Sequence, residues 1–182
     1  FAGPGLLRQL GQRVVADGGD MALHWNDKTW QRRATGIQPG SDLYAVWAAA
    51  ADNVYAVGQR VYRWDGSMWA PIELPGTAYY FGVSGTGPND VWIVGNSAAR
   101  HWNGTEWQRV LTGTTEPLNA VWAVAPNDVW AVGNGGTIVH WDGAAFSTVR
   151  SNTTSTLREM PEDSTRAALN DLLVRVRLKI GQ

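Results

Sequence analysis

Residues 118–143 read LNAVWAVAPNDVWAVGNGGTIVHWDG, and this stretch decides the fold. Three short runs within it alternate with a period of two residues, which is typical of β-strands rather than helices. Turn-forming residues separate the runs: Pro126-Asn127-Asp128 follows the first, and Asp142-Gly143 follows the third. The stretch therefore predicts short antiparallel strands joined by tight turns.

The same pattern recurs along the chain at a nearly constant interval. Val-Gly pairs end at Gly58, Gly95 and Gly133, so their spacings are 37 and 38 residues. The HWDG block also has close copies, which begin at His24, Arg63 and His101. A repeat of about 38 to 40 residues that contains four strands predicts a blade of a β-propeller. We therefore expect an all-β fold, a propeller of four-stranded antiparallel blades with about four blades visible.

Three of the repeats carry a dipeptide that favours a two-residue hairpin. Asp65-Gly66, Asn103-Gly104 and Asp142-Gly143 each lie between two strand runs. A type I′ turn at these places requires a positive φ at both residues. Asn26-Asp27 takes the same place in the first copy and predicts a looser turn. The sequence thus predicts type I′ hairpins in three blades.

The combined pattern, L-x-A-V-W followed by D-V-W-A-V-G and H-W-D-G, resembles the blades of the BNR/Asp-box class of propellers. It is similar in particular to bacterial surface proteins rich in DVWAVG repeats and to photosystem assembly factors of the Ycf48 type. The resemblance covers roughly residues 13–150 and implies a propeller fold. An Asp-box normally runs Ser/Thr-x-Asp-x-Gly-x-Thr-Trp, whereas residues 142–146 form a version that is one residue shorter.

The repeat also predicts where the blades begin and end. We expect blades over about 13–40, 41–76, 77–115 and 116–153, with 13–150 as the propeller proper. Residues 1–12 are Gly-rich and poorly patterned, and nothing before residue 13 matches a first strand. The first blade is therefore predicted to be incomplete and to follow an irregular segment.

The last part of the chain, residues 154–182, departs from the repeat. Pro161 to Ser164 resembles a helix start, and residues 174–180 (VRVRLKI) alternate as a strand. We expect a short helix over roughly 164–173 followed by that strand. Two hypotheses stay open: the chain is a piece of a longer propeller, or the last strand completes the first blade and closes a four-bladed ring.

Composition excludes several classes of protein. The 15 Lys and Arg residues balance 16 Asp and Glu residues, so there is no basic surface for nucleic acid or an anionic membrane. Cysteine is absent, which excludes disulfides, thiolate metal sites and a cysteine nucleophile. No apolar run reaches the roughly 18 residues of a membrane helix. We expect no nucleic-acid partner, no membrane insertion and no cofactor.

Most of the 11 tryptophans fall at fixed positions of the repeat. Repetition at a fixed position predicts packing between blades, where a large flat side chain fills the wedge. The sets are Trp30, Trp69 and Trp107 with Phe146; Trp92 and Trp130 with Tyr55; and Trp47 with Trp122.

Aromatic residues that break the repeat are the better candidates for ligand contact. Tyr79, Tyr80 and Phe81 lie just before Ser84, which stands where two other copies have tryptophan. Exposed aromatic rings can stack on sugars or pack against a protein partner. We therefore predict a ligand-binding loop at Tyr79, Tyr80 and Phe81.

The repeated histidines and aspartates do not predict a metal site. His24, His101 and His140 lie on separate blades, and Asp52, Asp90 and Asp128 supply only one carboxylate per blade. Ca²⁺ requires several oxygen ligands, and Zn²⁺ requires ligands that converge. The histidines are predicted to be structural, and the aspartates to cap turns by accepting backbone amides.

A glycosidase is one alternative, because sialidases share the Asp-box propeller. They need three arginines on the substrate carboxylate and a set of catalytic residues. Arginines are spread through the chain, but they do not fall at equivalent blade positions that would converge; they include Arg60, Arg63, Arg100, Arg109 and Arg150. The sequence therefore predicts no catalytic residues.

We predict a non-catalytic binding or scaffold module of an exported or surface bacterial protein, whose propeller loops contact a protein or another ligand. Its location would be extracellular, periplasmic or at the cell surface. Two alternatives remain: a carbohydrate-binding lectin, and a sialidase-like glycosidase or its remnant. The expected partner is a protein, a glycan or the remainder of a longer propeller.

Overall fold

A computed structural model describes residues 5–6, 13–16, 22–25, 28–32, 36–76, 78–96 and 99–158. Four antiparallel sheets of four strands each follow one another along the chain. The first sheet holds β1 (Gly5–Leu6), β2 (Arg13–Ala16), β3 (Ala22–Trp25) and β4 (Trp30–Arg32). The second holds β5 (Leu43–Ala50), β6 (Asn53–Gly58), β7 (Val61–Trp64) and β8 (Trp69–Ile72).

The third sheet holds β9 (Tyr80–Gly87), β10 (Asp90–Gly95), β11 (Ala99–Trp102) and β12 (Trp107–Val110). The fourth holds β13 (Leu118–Ala125), β14 (Asp128–Gly133), β15 (Ile138–Trp141) and β16 (Phe146–Thr148). The strands of every sheet lie side by side in chain order. The all-β fold built from four-stranded antiparallel blades is thus confirmed. In the described part of the chain, no helix is long and apolar enough to span a bilayer.

The sheets pack face to face in chain order. Strand β9 contacts both β5 and β13, so first strands of successive sheets lie side by side. One apolar cluster fills the space between the second and third sheets, and another lies between the third and fourth. At Gly82 the two backbones approach so closely that a Cβ atom would lie 3.0 Å from the Cα of Ala120. Two apolar clusters therefore lie between blades, and a further one is formed by residues of the second sheet together with Ile37.

The first sheet differs from the prediction. Gly5 and Leu6 form a short first strand that pairs with Ala16 and Val15, so residues 1–12 are not wholly irregular. A ladder of two residues is too short to show a period of two, which is why the sequence did not reveal it. The place that the closing strand was expected to fill is therefore occupied. The predicted helix at 164–173 and strand at 174–180 lie outside the described residues.

The turns between third and fourth strands also differ from the prediction. Trp64 pairs with Trp69, so residues 65–68 form a four-residue loop rather than a two-residue type I′ turn. Gly66 has a φ of 97°, but Asp65 is not among the residues with positive φ. The Asp65 carboxylate instead accepts the amide hydrogens of Ser67 and Met68. Side-chain capping has replaced the backbone geometry that the dipeptide favours.

Candidate functional site

Three aromatic side chains gather where the first strands of the second and third sheets begin. The rings of Tyr44 and Phe81 lie 5.5 Å apart between their centroids, and Tyr79 is close enough to Tyr44 to affect its pKa. Tyr44 is 44% exposed and Tyr79 is 45% exposed, which is unusual for side chains of this size. We call Tyr44, Tyr79 and Phe81 the aromatic rim.

The aromatic rim is not common to all blades. Tyr79 occupies the position held by Asp42 in the second sheet and Pro117 in the fourth, whereas Phe81 and Tyr44 share one position at which the fourth sheet has Asn119. The fold can therefore be built without aromatic residues at these places. Burial and then the nearby Asp42 carboxylate raise the pKa of Tyr44, so its hydroxyl stays protonated at neutral pH and can donate a hydrogen bond.

A cavity of about 370 Å³ opens beside Tyr79. Its walls combine apolar side chains with polar and charged groups. We call it the rim groove; it is lined by Gln59, Arg60, Val61, Pro71, Ile72, Glu73, Leu74, Gly76, Ala78, Tyr79 and Tyr80. The groove therefore lies between the second sheet and the chain that leads into the third, at the base of the aromatic rim.

A buried cation stands behind one wall of the rim groove. Arg100 on β11 is only 7% exposed. Its Nε donates a hydrogen bond of 2.7 Å to the Tyr80 hydroxyl, and its Nη2 donates to the carbonyl of Pro75. Tyr80 and both neighbours of Pro75 belong to the groove wall. Arg100 therefore holds in place the segment that shapes the groove.

A second arginine lies directly across the sheet from the first. Arg109 on β12 pairs in register with Arg100, so the two side chains project from the same face of the third sheet. The equivalent pairs are Leu23 with Arg32, Tyr62 with Pro71 and Val139 with Thr148, so none of them places two charges opposite each other. The repeat therefore does not require positive charge at this place.

The three residues of the predicted ligand loop differ in exposure. Tyr79 is exposed and Phe81 is partly exposed, and both belong to the aromatic rim. Tyr80 is 4% exposed, and its hydroxyl is engaged by Arg100. Tyr80 therefore serves as a wall of the groove, whereas Tyr79 and Phe81 are available for contact.

The repeat-locked aromatic residues contact one another across the spaces between sheets. Tyr55 of the second sheet meets Trp107 of the third at 6.0 Å, nearly edge to face. Trp92 of the third sheet meets Phe146 of the fourth at 5.5 Å in the same manner. Trp47 projects over Gly85 of the third sheet, where a side chain would collide with its ring. Side chains of the first sheet, including Trp30, lie outside the description.

Asp90 and Asp128 do not cap turns as predicted. Asp90 accepts hydrogen bonds from the indole of Trp92 at 3.1 Å and from Thr86, and its Oδ1 lies 2.6 Å from Nε2 of His101. Asp128 has the same relation to Trp130 and His140. Sequence reasoning could not foresee this, because the three side chains are brought together only by the register of neighbouring strands.

The Asp90 carboxylate titrates below its ordinary range. Burial raises its pKa, but the bonds from His101, Thr86 and Trp92 together outweigh burial and lower it. His101 also stacks on Trp92, with 4.1 Å between the ring centroids. These contacts, and the matching ones of His140 with Asp128 and Trp130, give His101 and His140 a structural role. Within the described residues, no three His, Cys, Asp or Glu side chains converge in a way that could hold a metal ion.

The arginines of the groove were not brought together by sequence reasoning. Arg60 lies on the turn between β6 and β7, whereas Arg100 and Arg109 lie in the next sheet. Arg60 lines the groove, Arg100 reaches its wall through Tyr80 and Pro75, and Arg109 pairs with Arg100. These relations depend on packing and register, which no spacing along the chain reveals. One signal was present: Arg100 replaces Tyr62 and Val139 of the sister blades at a buried position.

Comparison with solved structures shows the class of fold. Ycf48 from Cyanidioschyzon merolae matches 86% of this chain at 13% identity, with a TM-score of 0.63. The structure of U3-55K matches 85% of the chain at 13% identity, with a TM-score of 0.64. Ycf48 bound to a D1 peptide matches 58% of the chain at 19% identity, with a TM-score of 0.52. The chain thus has the fold of β-propeller repeat proteins.

The match is one of architecture rather than close kinship. The chain spans 39% of the peptide-bound Ycf48, 62% of the C. merolae protein and 57% of U3-55K. No protein-family model matches the chain, and no curated protein matches it. Its function must therefore be argued from its own side chains.

Proposed function

We propose that the chain is a non-catalytic protein-interaction module that holds an extended segment of a partner protein on the aromatic rim. The observation that carries this proposal is the exposure of Tyr44 and Tyr79 beside an open groove. Tyrosine supplies a large apolar area together with a hydrogen-bonding hydroxyl, and it is enriched at the centres of protein interfaces.

The shape of the site supports a peptide rather than a compact substrate. The rim groove has apolar lining at Val61, Ile72 and Leu74 beside the exposed ring of Tyr79. Such a groove can take alternate side chains of an extended segment. One of the similar solved propellers is Ycf48 bound to a D1 peptide, so this fold can present a peptide-binding surface.

The proposal can be tested by selecting binders from a random peptide library displayed on phage. Peptides enriched on the protein should bind Tyr79→Ala about tenfold more weakly, because a central interface tyrosine contributes at least that much. Met68→Ala is the matched control, since Met68 is 46% exposed but lies in the β7–β8 loop, away from the groove. It should bind the same peptides unchanged.

Two results would overturn the proposal. One is that no peptide is enriched, or that the enriched peptides bind Tyr79→Ala as tightly as the wild type. The other is binding on a glycan array that depends on Tyr79 without any peptide binding, which would establish the lectin alternative. An exported or surface location in a bacterium is a further part of the proposal, and fractionation of the producing cell would test it.

A further inference from the structure

We infer that the rim groove selects acidic segments, with Arg60 and Arg109 receiving a partner carboxylate and the buried Arg100 adding positive charge behind the groove wall. This inference rests on the proposed function and specifies the chemistry of the partner. The groove would take a segment in which Glu or Asp alternates with an apolar residue.

The first support is an unbalanced buried charge. A guanidinium stays protonated in proteins, and burying it without a counter-charge is costly. Arg100 is 7% exposed, and its two hydrogen bonds go to uncharged oxygens, on Tyr80 and Pro75. Among the described residues, the ion pairs join histidine to aspartate and none involves Arg100. A carboxylate from a partner would supply the missing charge.

The second support is the cross-strand pair of like charges. Arg109 lies opposite Arg100, an arrangement that destabilises a sheet when nothing neutralises it. Arg109 is exposed at the outer strand of its sheet, whereas Arg100 is buried beside it. The pair therefore extends the positive charge from the groove wall to the surface, where an approaching anion first meets it.

The third support is the composition of the groove. Arg60 lines it and is exposed, and one carboxylate, that of Glu73, lines it too. Arg60 and Glu73 balance each other within the lining, and the Asp42 carboxylate accepts a hydrogen bond from Gln59 of the lining. Arg100 and Arg109 of the next sheet add two positive charges, so these five groups carry a net positive charge. The apolar lining at Val61, Ile72 and Leu74 leaves room for an uncharged side chain between acidic ones. Charge and apolar surface together favour alternation in the partner.

The test uses two synthetic hexapeptides with blocked ends, one of alternating Glu and Leu and the other with Gln replacing each Glu. Isothermal titration should give a dissociation constant at least about tenfold lower for the Glu peptide, since hydrogen bonds to a charged group contribute at least that much. Arg60→Gln and Arg109→Gln should each weaken the Glu peptide about tenfold. Arg150→Gln, which changes an exposed arginine after the fourth sheet, should leave binding unchanged.

Arg100 is left unchanged in this test because its loss would also release Tyr80. Equal binding of the Glu and Gln peptides would overturn the inference, and so would a Glu peptide that binds both arginine variants normally. In either case, library peptides that depend on Tyr79 would leave the proposed function standing. If neither the hexapeptides nor any library peptide binds, the proposed function fails with the inference.

Discussion

In each of the last three blades, one side-chain oxygen caps the turn between the third and fourth strands by accepting two backbone amide hydrogens. Oδ1 of Asp65 accepts the backbone amide of Ser67 at 2.8 Å and that of Met68 at 2.9 Å. Asn103 and Asp142 make the equivalent pair of bonds in the third and fourth blades. The hydrogen bonds from Met68 and Ser67 lower the pKa of Asp65 from 3.8 to about 2.

The pKa of Asp65 predicts how this turn responds to acid. Because its folded pKa lies below the ordinary value, the ionised carboxylate stabilises the fold above about pH 4, and this contribution is lost as the pH falls through about 2. Asp65→Asn should keep the turn, since Asn103 does so naturally, but should lose this pH dependence. Asp65→Ala should lower the melting temperature more than Asp65→Asn does at neutral pH.

Melting curves between pH 2 and pH 7 check this expectation. A matched control is Glu106→Gln, because Glu106 is an exposed carboxylate in the equivalent loop of the third blade. Replacing Glu106 should leave the fall of the melting temperature at acidic pH unchanged. An Asp65→Asn curve that falls with acid as steeply as the wild type would contradict the assigned role of the carboxylate.

At the scale of the element, equivalent positions of different blades hold different aromatic residues that make the same contact. Trp107 starts the fourth strand of the third sheet and packs on Tyr55 of the second, and Phe146 does the same against Trp92 one blade later. The contact therefore needs an aromatic ring rather than an indole in particular. Trp107→Phe should cost about 1 kcal/mol or less, whereas Trp107→Ala should cost about 3 kcal/mol because it leaves a cavity.

Urea denaturation of the two variants measures these costs. The difference between Phe and Ala is the informative quantity, because both remove the indole but only Ala removes the ring contact. Equal destabilisation by the two substitutions would show that the indole itself, rather than the aromatic contact with Tyr55, holds the blades together.

The repeat made the elements predictable because it showed the same short pattern several times. Alternation in stretches such as Asp128 to Val132 identified the strands, and the copies fixed their number. The sequence did not reveal the two-residue strand at Gly5–Leu6 or the capping of the turns by side chains such as Asp65. Both features depend on contacts rather than on a repeated pattern. Tyr79 was predictable as a break in the repeat, whereas the pairing of Arg100 with Arg109 required the register.

At the scale of the whole molecule, each described blade contacts the next one along the chain. Stability in such an arrangement is roughly the sum of each blade's own stability and the contacts between adjacent blades. The third blade is covered on one face by the second and on the other by the fourth. Trp92 is accordingly 0% exposed, whereas Trp130 at the equivalent position of the fourth blade remains partly exposed.

This arrangement predicts where the molecule opens first. Amide hydrogens of β10 in the third blade should exchange more slowly than those of β14 in the fourth, by at least about 1 kcal/mol in opening free energy. Hydrogen exchange followed by mass spectrometry at increasing urea concentrations measures this difference. Because the two strands have nearly the same sequence, DVWIVG and DVWAVG, intrinsic exchange rates cannot explain it. Equal protection of β10 and β14 would mean that the fourth blade is covered as fully as the third, and the predicted order of opening would be wrong.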